Sequence, residues 1–233
     1  MKEIISGKGI IKTFGQGGEK RRVLDGVDIS VEEGEFISVM GPSGSGKSMD
    51  GMDGGKISFC GRELSSFREK ELADLRRTRM GFVFQQPSLL KNLNILDNIV
   101  FPSLRDHRKN AGQLMERAKE LMERTGISQL EKRKVTQVSG GQLQRAGICR
   151  ALMNQPEIVF GDEPTGALNS RASGEIMDLF SEINEQGTAV MLVTHDAAIA
   201  ARTRRVLFLS DGRVAGELKL PRNSGLSHTA KMD

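Results

Sequence analysis

The chain has no tryptophan and no tyrosine, and its only aromatic residues are phenylalanines, which with the other ring types account for 4% of 233 positions. A core built from such a chain is aliphatic and leans on methionine, of which there are 11. The same scarcity removes the aromatic platforms on which single-stranded nucleic acid stacks. The net charge of +4 is scattered in short groups such as Lys20-Arg21-Arg22 and Arg202, Arg204 and Arg205. No specific nucleic-acid partner is therefore expected. Cysteine is as scarce: Cys60 and Cys149 have no C-x-x-C spacing and no histidine pair near them, which reads as reduced thiols in apolar surroundings. No apolar run approaches the roughly 18 residues that cross a bilayer. The start, Met1-Lys2-Glu3-Ile4-Ile5-Ser6, lacks the apolar stretch of a signal peptide. The chain is expected in the cytoplasm, with any membrane role exercised through a partner.

What is present alternates. Strands are expected at Ile4 to Phe14, Val23 to Val31, Phe36 to Met40 and Lys56 to Cys60, with a basic, Gly-rich turn at Gly15 to Arg22. A helix is expected from Glu69 to Arg79. Another spans Gln113 to Arg124, where Leu114, Met115, Ala118, Leu121 and Met122 recur at helical spacing. From Val138 onward helices and strands take turns: a helix opening at Ser139, strand Glu157 to Phe160, helix Arg171 to Glu185, strand Ala189 to Val193, a short helix, and a hairpin at Val206 to Leu218. That rhythm predicts an α/β fold with a buried, mostly parallel sheet. N-terminal antiparallel strands precede it, and a helical insertion over about 69–138 interrupts it. One domain is expected over 1–220, with a polar, disordered tail over 221–233.

Three elements carry phosphate chemistry. Gly41-Pro42-Ser43-Gly44-Ser45-Gly46-Lys47-Ser48 fits G-x-x-x-x-G-K-S/T. There small residues let backbone N–H groups wrap phosphate oxygens, Lys47 reaches the terminal phosphates and Ser48 ligates Mg²⁺. The apolar run ending in Asp162-Glu163 sets two carboxylates at a strand end, the first suited to hold Mg²⁺ and the second to take a proton from an attacking water. Ser139 with Gly140 and Gly141 opens a helix with free N–H groups, an anion site by geometry and dipole.

In this order the three elements resemble the nucleotide-binding subunit of ABC transporters, a P-loop NTPase. Val138-Ser139-Gly140-Gly141-Gln142 is similar to that family's signature, which usually begins with Leu. The resemblance implies ATP and Mg²⁺ as ligands, a homodimer in the ATP-bound state with each signature facing the γ-phosphate held by the other copy, and a separate transmembrane permease that keeps the chain at the inner face of the membrane. Residue by residue, it implies that Phe14 stacks on adenine and that Gln85, in Gly81-Phe82-Val83-Phe84-Gln85, senses Mg²⁺ and water and opens the permease-facing segment. It also implies that His195 contacts the γ-phosphate and helps to orient Glu163. In that segment, Gln85 to Phe101, apolar Leu89, Leu90, Leu93 and Ile95 are docking candidates, or simply core. The wording Asp162-Glu163-Pro164-Thr165-Gly166-Ala167-Leu168 looks most like the branch that serves lipoprotein release, macrolide export and antimicrobial-peptide resistance.

Two departures stand out. Asn169 occupies the position where the family's D-loop usually has Asp. After Ser48 the family carries a Thr-Leu-Leu run and a full helix, whereas this chain is about eight residues short, or about 12 Å of helix. Met49-Asp50-Gly51-Met52-Asp53-Gly54-Gly55 holds three glycines in seven positions, which oppose helix formation. Three readings remain open: a transport ATPase, a truncated or hydrolysis-deficient subunit, and an ABC ATPase acting on nucleic acid.

Overall fold

Phe36 to Met40, Ile158 to Asp162 and Ala189 to Thr194 are almost entirely apolar, the pattern of strands covered on both faces. The computed structural model, which describes residues 2–14, 21–41, 52–104 and 110–221, places them side by side. Strands β1 (Glu3–Phe14) and β2 (Arg21–Glu32) lead into β3 (Phe36–Met40), and β4 (Gly54–Phe59) and β5 (Arg62–Glu63) follow. Next come helix α1 (Glu69–Arg79), strand β6 (Met80–Phe84) and helices α2 (Ile95–Val100), α3 (Ala111–Arg124) and α4 (Gly140–Leu152). The chain then alternates through β7 (Ile158–Asp162), α5 (Ser170–Glu185), β8 (Ala189–Thr194), α6 (Ala197–Ala200), β9 (Arg205–Ser210) and β10 (Arg213–Lys219).

The strands form two sheets. One is antiparallel, in the order β2-β1-β4-β5; the other runs β10-β9-β3-β8-β7-β6 and is parallel except for β10. Ile5, Ile10, Val27, Val31, Ile57 and Phe59 of the antiparallel sheet pack on Ile37, Val39, Val193 and Leu207 of the parallel one. The opposite face of the parallel sheet buries Val159, Val190 and Leu192 under α4 and α5, and α3 joins this core through Leu114, Ala118, Leu121 and Met122. Between α1 and the sheet lies a cavity of about 260 Å³, lined by Leu72, Leu75, Phe82, Phe160 and Met191 among others. Both cysteines are free thiols; burial pushes Cys149 up to about 11, and Cys60 is half-buried beside Glu157.

The structure corrects two expectations. The span expected as a helical insertion, 69–138, contains β6, which pairs with β7 from Met80↔Ile158 to Phe84↔Asp162 and so belongs to the parallel sheet. Five residues are too few for periodicity to register, yet the faces alternate: Val83 enters one core while Met80 and Phe82 enter the other. Gly81 lets α4 close in, since a Cβ there would lie 2.9 Å from the Ala151 carbonyl oxygen. The second correction concerns the glycines after the phosphate loop. Gly54 and Gly55 are not a spoiled helix but the start of β4, where Gly54 pairs with Ile11. Gly55 has φ +87°, and a Cβ would sit 2.4 Å from the Gly9 carbonyl oxygen. Gly55→Ala is therefore expected to destabilise the fold by about 2 kcal/mol or more, read as a lower thermal midpoint. An unchanged midpoint would show that the β1–β4 pairing tolerates a side chain there. The tail expected to be disordered lies, beyond Pro221, outside the described residues.

Candidate active site

All parallel strands deliver their C-termini to one edge, and the loops leaving that edge surround what binds there. The order β3-β8-β7-β6 therefore sets a lateral order of candidate groups: Gly41 after β3, His195 after β8, Asp162 and Glu163 at the end of β7, and Gln85 after β6. With neighbouring strands about 4.8 Å apart, these columns span about 15 Å. Residues 42–48, the rest of the phosphate loop, lie outside the described residues. So does the side chain of Phe14, whose backbone ends β1 opposite Arg21. Asp162 is exposed at the sheet edge, in register with Phe84 on one side and Val193 on the other.

Glu163 has φ +46°, a left-handed conformation that costs a residue with a Cβ about 1–2 kcal/mol. Surrounding bonds hold it there. Its N–H donates to the Val193 carbonyl at 2.9 Å, and its own carbonyl accepts from the Gly166 N–H at 3.0 Å. The carboxylate is gripped at both oxygens: Oε1 accepts from the His195 backbone N–H at 3.1 Å and meets His195 Nδ1 at 2.8 Å, while Oε2 accepts from Thr194 Oγ1 at 3.3 Å. The Glu163 side chain is 16% exposed and that of His195 is 67% exposed, so a sheltered carboxylate is paired with an open imidazole. Asp196 steadies the turn beyond His195 by capping α6 through Ala198 N–H at 2.8 Å and donating its own N–H to Thr194 Oγ1 at 3.1 Å. Gln85 is exposed, and Gly166 gives it room, since a Cβ there would come within 2.9 Å of Gln85 Nε2.

The Ser139 segment forms a capped helix start. Ser139 Oγ accepts from the Gln142 N–H at 3.3 Å and Gln142 Oε1 accepts from the Ser139 N–H at 2.9 Å, a reciprocal capping box. Gly140 and Gly141 follow in the first turn of α4. Added Cβ atoms there would meet only Leu168 at 3.7 Å and Ala172 at 3.6 Å, ordinary contacts, so the fold of one chain does not demand glycine at either place. Asn169 caps the neighbouring α5 by accepting the Ala172 N–H at 2.9 Å.

Further along, α4 supports the segment that follows β6. Buried Gln144 donates Nε2 to the Phe84 carbonyl at 3.0 Å; at Gly147 a Cβ would lie 3.2 Å from Pro87; Arg150 donates to the Ser88 carbonyl at 2.7 Å. Burial lowers Arg150 from its ordinary value. These contacts recur every three residues along one helix face and meet the Gln85 loop in order. The docking candidates divide: Leu89 and Ile95 are buried, Leu93 is half-buried and Leu90 is exposed. Sequence reasoning missed Thr194 and Gln144, and it placed Arg150 only in the basic helix that follows the signature, without its bond to Ser88. The spacing 144, 147, 150 after the capped start is the signal that could have found the contacts with the loop.

Residues 24–166 match the ABC transporter family. The lipoprotein-releasing system ATP-binding protein LolD of Aquifex aeolicus is 40% identical over 226 residues, which cover 94% of this chain and 99% of that protein. The macrolide export ATP-binding/permease protein MacB of Pasteurella multocida is 38% identical over 228 residues, 94% of this chain but 35% of that protein, so the chain spans about a third of its length. Among solved structures, the ATP-binding cassette MJ0796, a dimer in a post-hydrolysis state bound to ADP and Pi, superposes with a TM-score of 0.86 at 36% identity, covering 94% of this chain and 99% of that one.

Proposed function

The chain belongs to the ABC transporter family as an ATPase cassette, and we propose that it is the ATP-hydrolysing subunit that drives a separate membrane permease by closing with a second copy around ATP. The observation that carries this reading is the grip on Glu163, whose two carboxylate oxygens face three donors at the edge where the phosphate loop also emerges. A carboxylate fixed in this way is oriented to take a proton from water as that water attacks the γ-phosphate. His195 braces it through Nδ1 and keeps its other ring nitrogen for the phosphate. Asp162, at the end of β7, and Gln85, just after the adjoining β6, offer the oxygen donors that Mg²⁺ prefers, with Ser48 as the third ligand. When bound, the ion neutralises charge on the transferred phosphate. Gly41 to Ser48 hold the phosphates and Phe14 the adenine. Ser139, Gly140, Gly141 and Gln142 serve the nucleotide of the second copy, which accounts for glycines that one chain alone does not require.

By likeness to LolD and MacB, the system belongs with lipoprotein release or macrolide export, and the permease docks on the segment from Gln85 to Phe101. Among the described residues no helix is long and apolar enough to cross a membrane. The reading therefore places the chain peripherally on the cytoplasmic face of the membrane. The domain spans 1–220, with its helical part from α2 to α4.

A second reading, a cassette that binds but does not hydrolyse, is favoured by one observation. Asp53 N–H already donates to the Ile11 carbonyl of β1 at 2.9 Å. Only residues 49–51 therefore separate Ser48 from the described Met52, less than one helical turn of about 3.6 residues. Phosphate release from Mg·ATP decides between the two. The purified chain is expected to release phosphate, and His195→Ala to lower the rate by at least about tenfold with ATP affinity little changed. Nucleotide binding without any phosphate release from the wild-type chain would establish the second reading.

A further inference from the structure

Leu90 is 42% exposed, yet its backbone is bonded at both its N–H and its carbonyl. Asn98, 2% exposed, accepts the Leu90 N–H at 2.6 Å and gives its own Nδ2 hydrogens to the carbonyls of Leu90 at 3.0 Å, Leu93 at 3.4 Å and Asn94 at 2.9 Å. The Leu93 N–H closes the turn on the Leu90 carbonyl at 3.2 Å. A buried amide thus fixes a short turn whose tip presents a leucine and Lys91 to solvent. A second strip of chain lies against it. Asn94 forms an antiparallel bridge with Lys134, and the Ile95 N–H donates to the Arg133 carbonyl at 2.9 Å. The consecutive cations Lys132, Arg133 and Lys134 therefore flank the turn.

All four basic side chains are exposed, and none has an ion-pair partner among the described residues. The acidic groups nearby are Asp97 and Glu131, and Glu131 already faces Lys119 at 3.4 Å. The turn and its flank are thus an apolar knob in a cationic collar.

We infer that this face binds an acidic protein segment carrying one large apolar residue, supplied by the membrane subunit. The inference rests on the docking role proposed for the Gln85 to Phe101 segment. A leucine already held in place loses little conformational freedom on binding, so its contact is retained as affinity. The cations add steering and selection against basic partners. An anionic lipid surface would also meet the cations, but it has no use for a turn fixed to this degree by a buried amide.

The test is selection of short randomised peptides displayed on phage against the full chain, followed by affinity measurement on the winners. The expected winners are net acidic and contain Leu, Ile, Phe or Met. Their binding should fall at least about tenfold both for the combined Lys132→Glu, Arg133→Glu, Lys134→Glu variant and for Leu90→Ser, and should weaken with salt. All four substitutions are at exposed positions, so melting curves should stay unchanged. Winners that need Leu90 but are uncharged or basic and tolerate the charge reversal would overturn the inference and leave the docking role standing. Winners indifferent to Leu90→Ser would overturn the docking role and the inference with it. Binding of phosphatidylglycerol vesicles that the charge reversal abolishes, with no peptide enriched, would overturn the inference in favour of lipid.

Discussion

Glu163→Gln is expected to lower ATP turnover by about 10²–10⁴-fold while leaving ATP affinity nearly intact. The amide keeps the length of the carboxylate and one acceptor oxygen, so contacts with Thr194 and His195 are partly preserved. It cannot take the proton. Binding without turnover should then accumulate the closed pair of cassettes, and light scattering in saturating Mg·ATP should report a dimer where the nucleotide-free variant is a monomer. A variant that binds ATP and stays monomeric would count against closure of two copies around the nucleotide. Near-wild-type turnover would remove Glu163 from the chemistry.

Restoring length after Ser48 is expected to have a comparably large effect on binding. A phosphate loop gains from the helix that follows it, because consecutive N–H groups and the helix dipole converge on the β-phosphate only when the first turn is ordered and packed. With residues 49–51 alone between Ser48 and the described Met52, and with Asp53 already bonded to Ile11 of β1, that packing has little chain to draw on. The cavity of about 260 Å³ between α1 and the sheet, walled by phenylalanine and methionine, is apolar space on the same sheet that added leucines can fill. Inserting a Thr-Leu-Leu-type helix of about eight residues, roughly two turns, is expected to tighten Mg·ATP binding at least about tenfold, or about 1.4 kcal/mol. Filling core space should also raise the thermal midpoint, by about 2–4 °C for each kcal/mol recovered. Equal affinities and equal midpoints in the two forms would show that the short connection suffices.

The candidate site is legible in the sequence where carboxylates and a histidine stand at strand ends. Asp162-Glu163 and His195 each follow an apolar run, and a parallel sheet brings such ends to one edge whatever the intervening chain does. The hairpin and the helices with a clear apolar stripe were legible for the same reason: burial on one side leaves a period. What escaped notice lacks a period. β6 is five residues long, contains a glycine and sits between helices, so only its pairing with β7 reveals it. In the sequence Gly54 and Gly55 signal only opposition to a helix, whereas the strand they begin is defined by Ile11 and Gly9, distant in sequence. Thr194 resembles an ordinary strand residue until the left-handed turn at Glu163 folds a carboxylate back onto its hydroxyl. The separation of Leu90 from Leu89 escapes a sequence for another reason: the two adjacent leucines are told apart only by the turn from Leu90 to Leu93 that the distant Asn98 holds.

The three contacts of α4 with the loop after β6 have a mechanical consequence. A helix of 13 residues is a strut of about 20 Å, stiff along its axis. Here it carries the capped Ser139 end at one tip and holds Phe84, Pro87 and Ser88 along its length. A strut of this kind neither amplifies nor absorbs. Ser139 and the loop after β6 are thus attached to one rigid element, so a shift of the helix along its axis carries both. Under the proposed function, a partner seated on the loop and closure of two cassettes would act on one another through these same contacts, each shifting the other by an equal free energy.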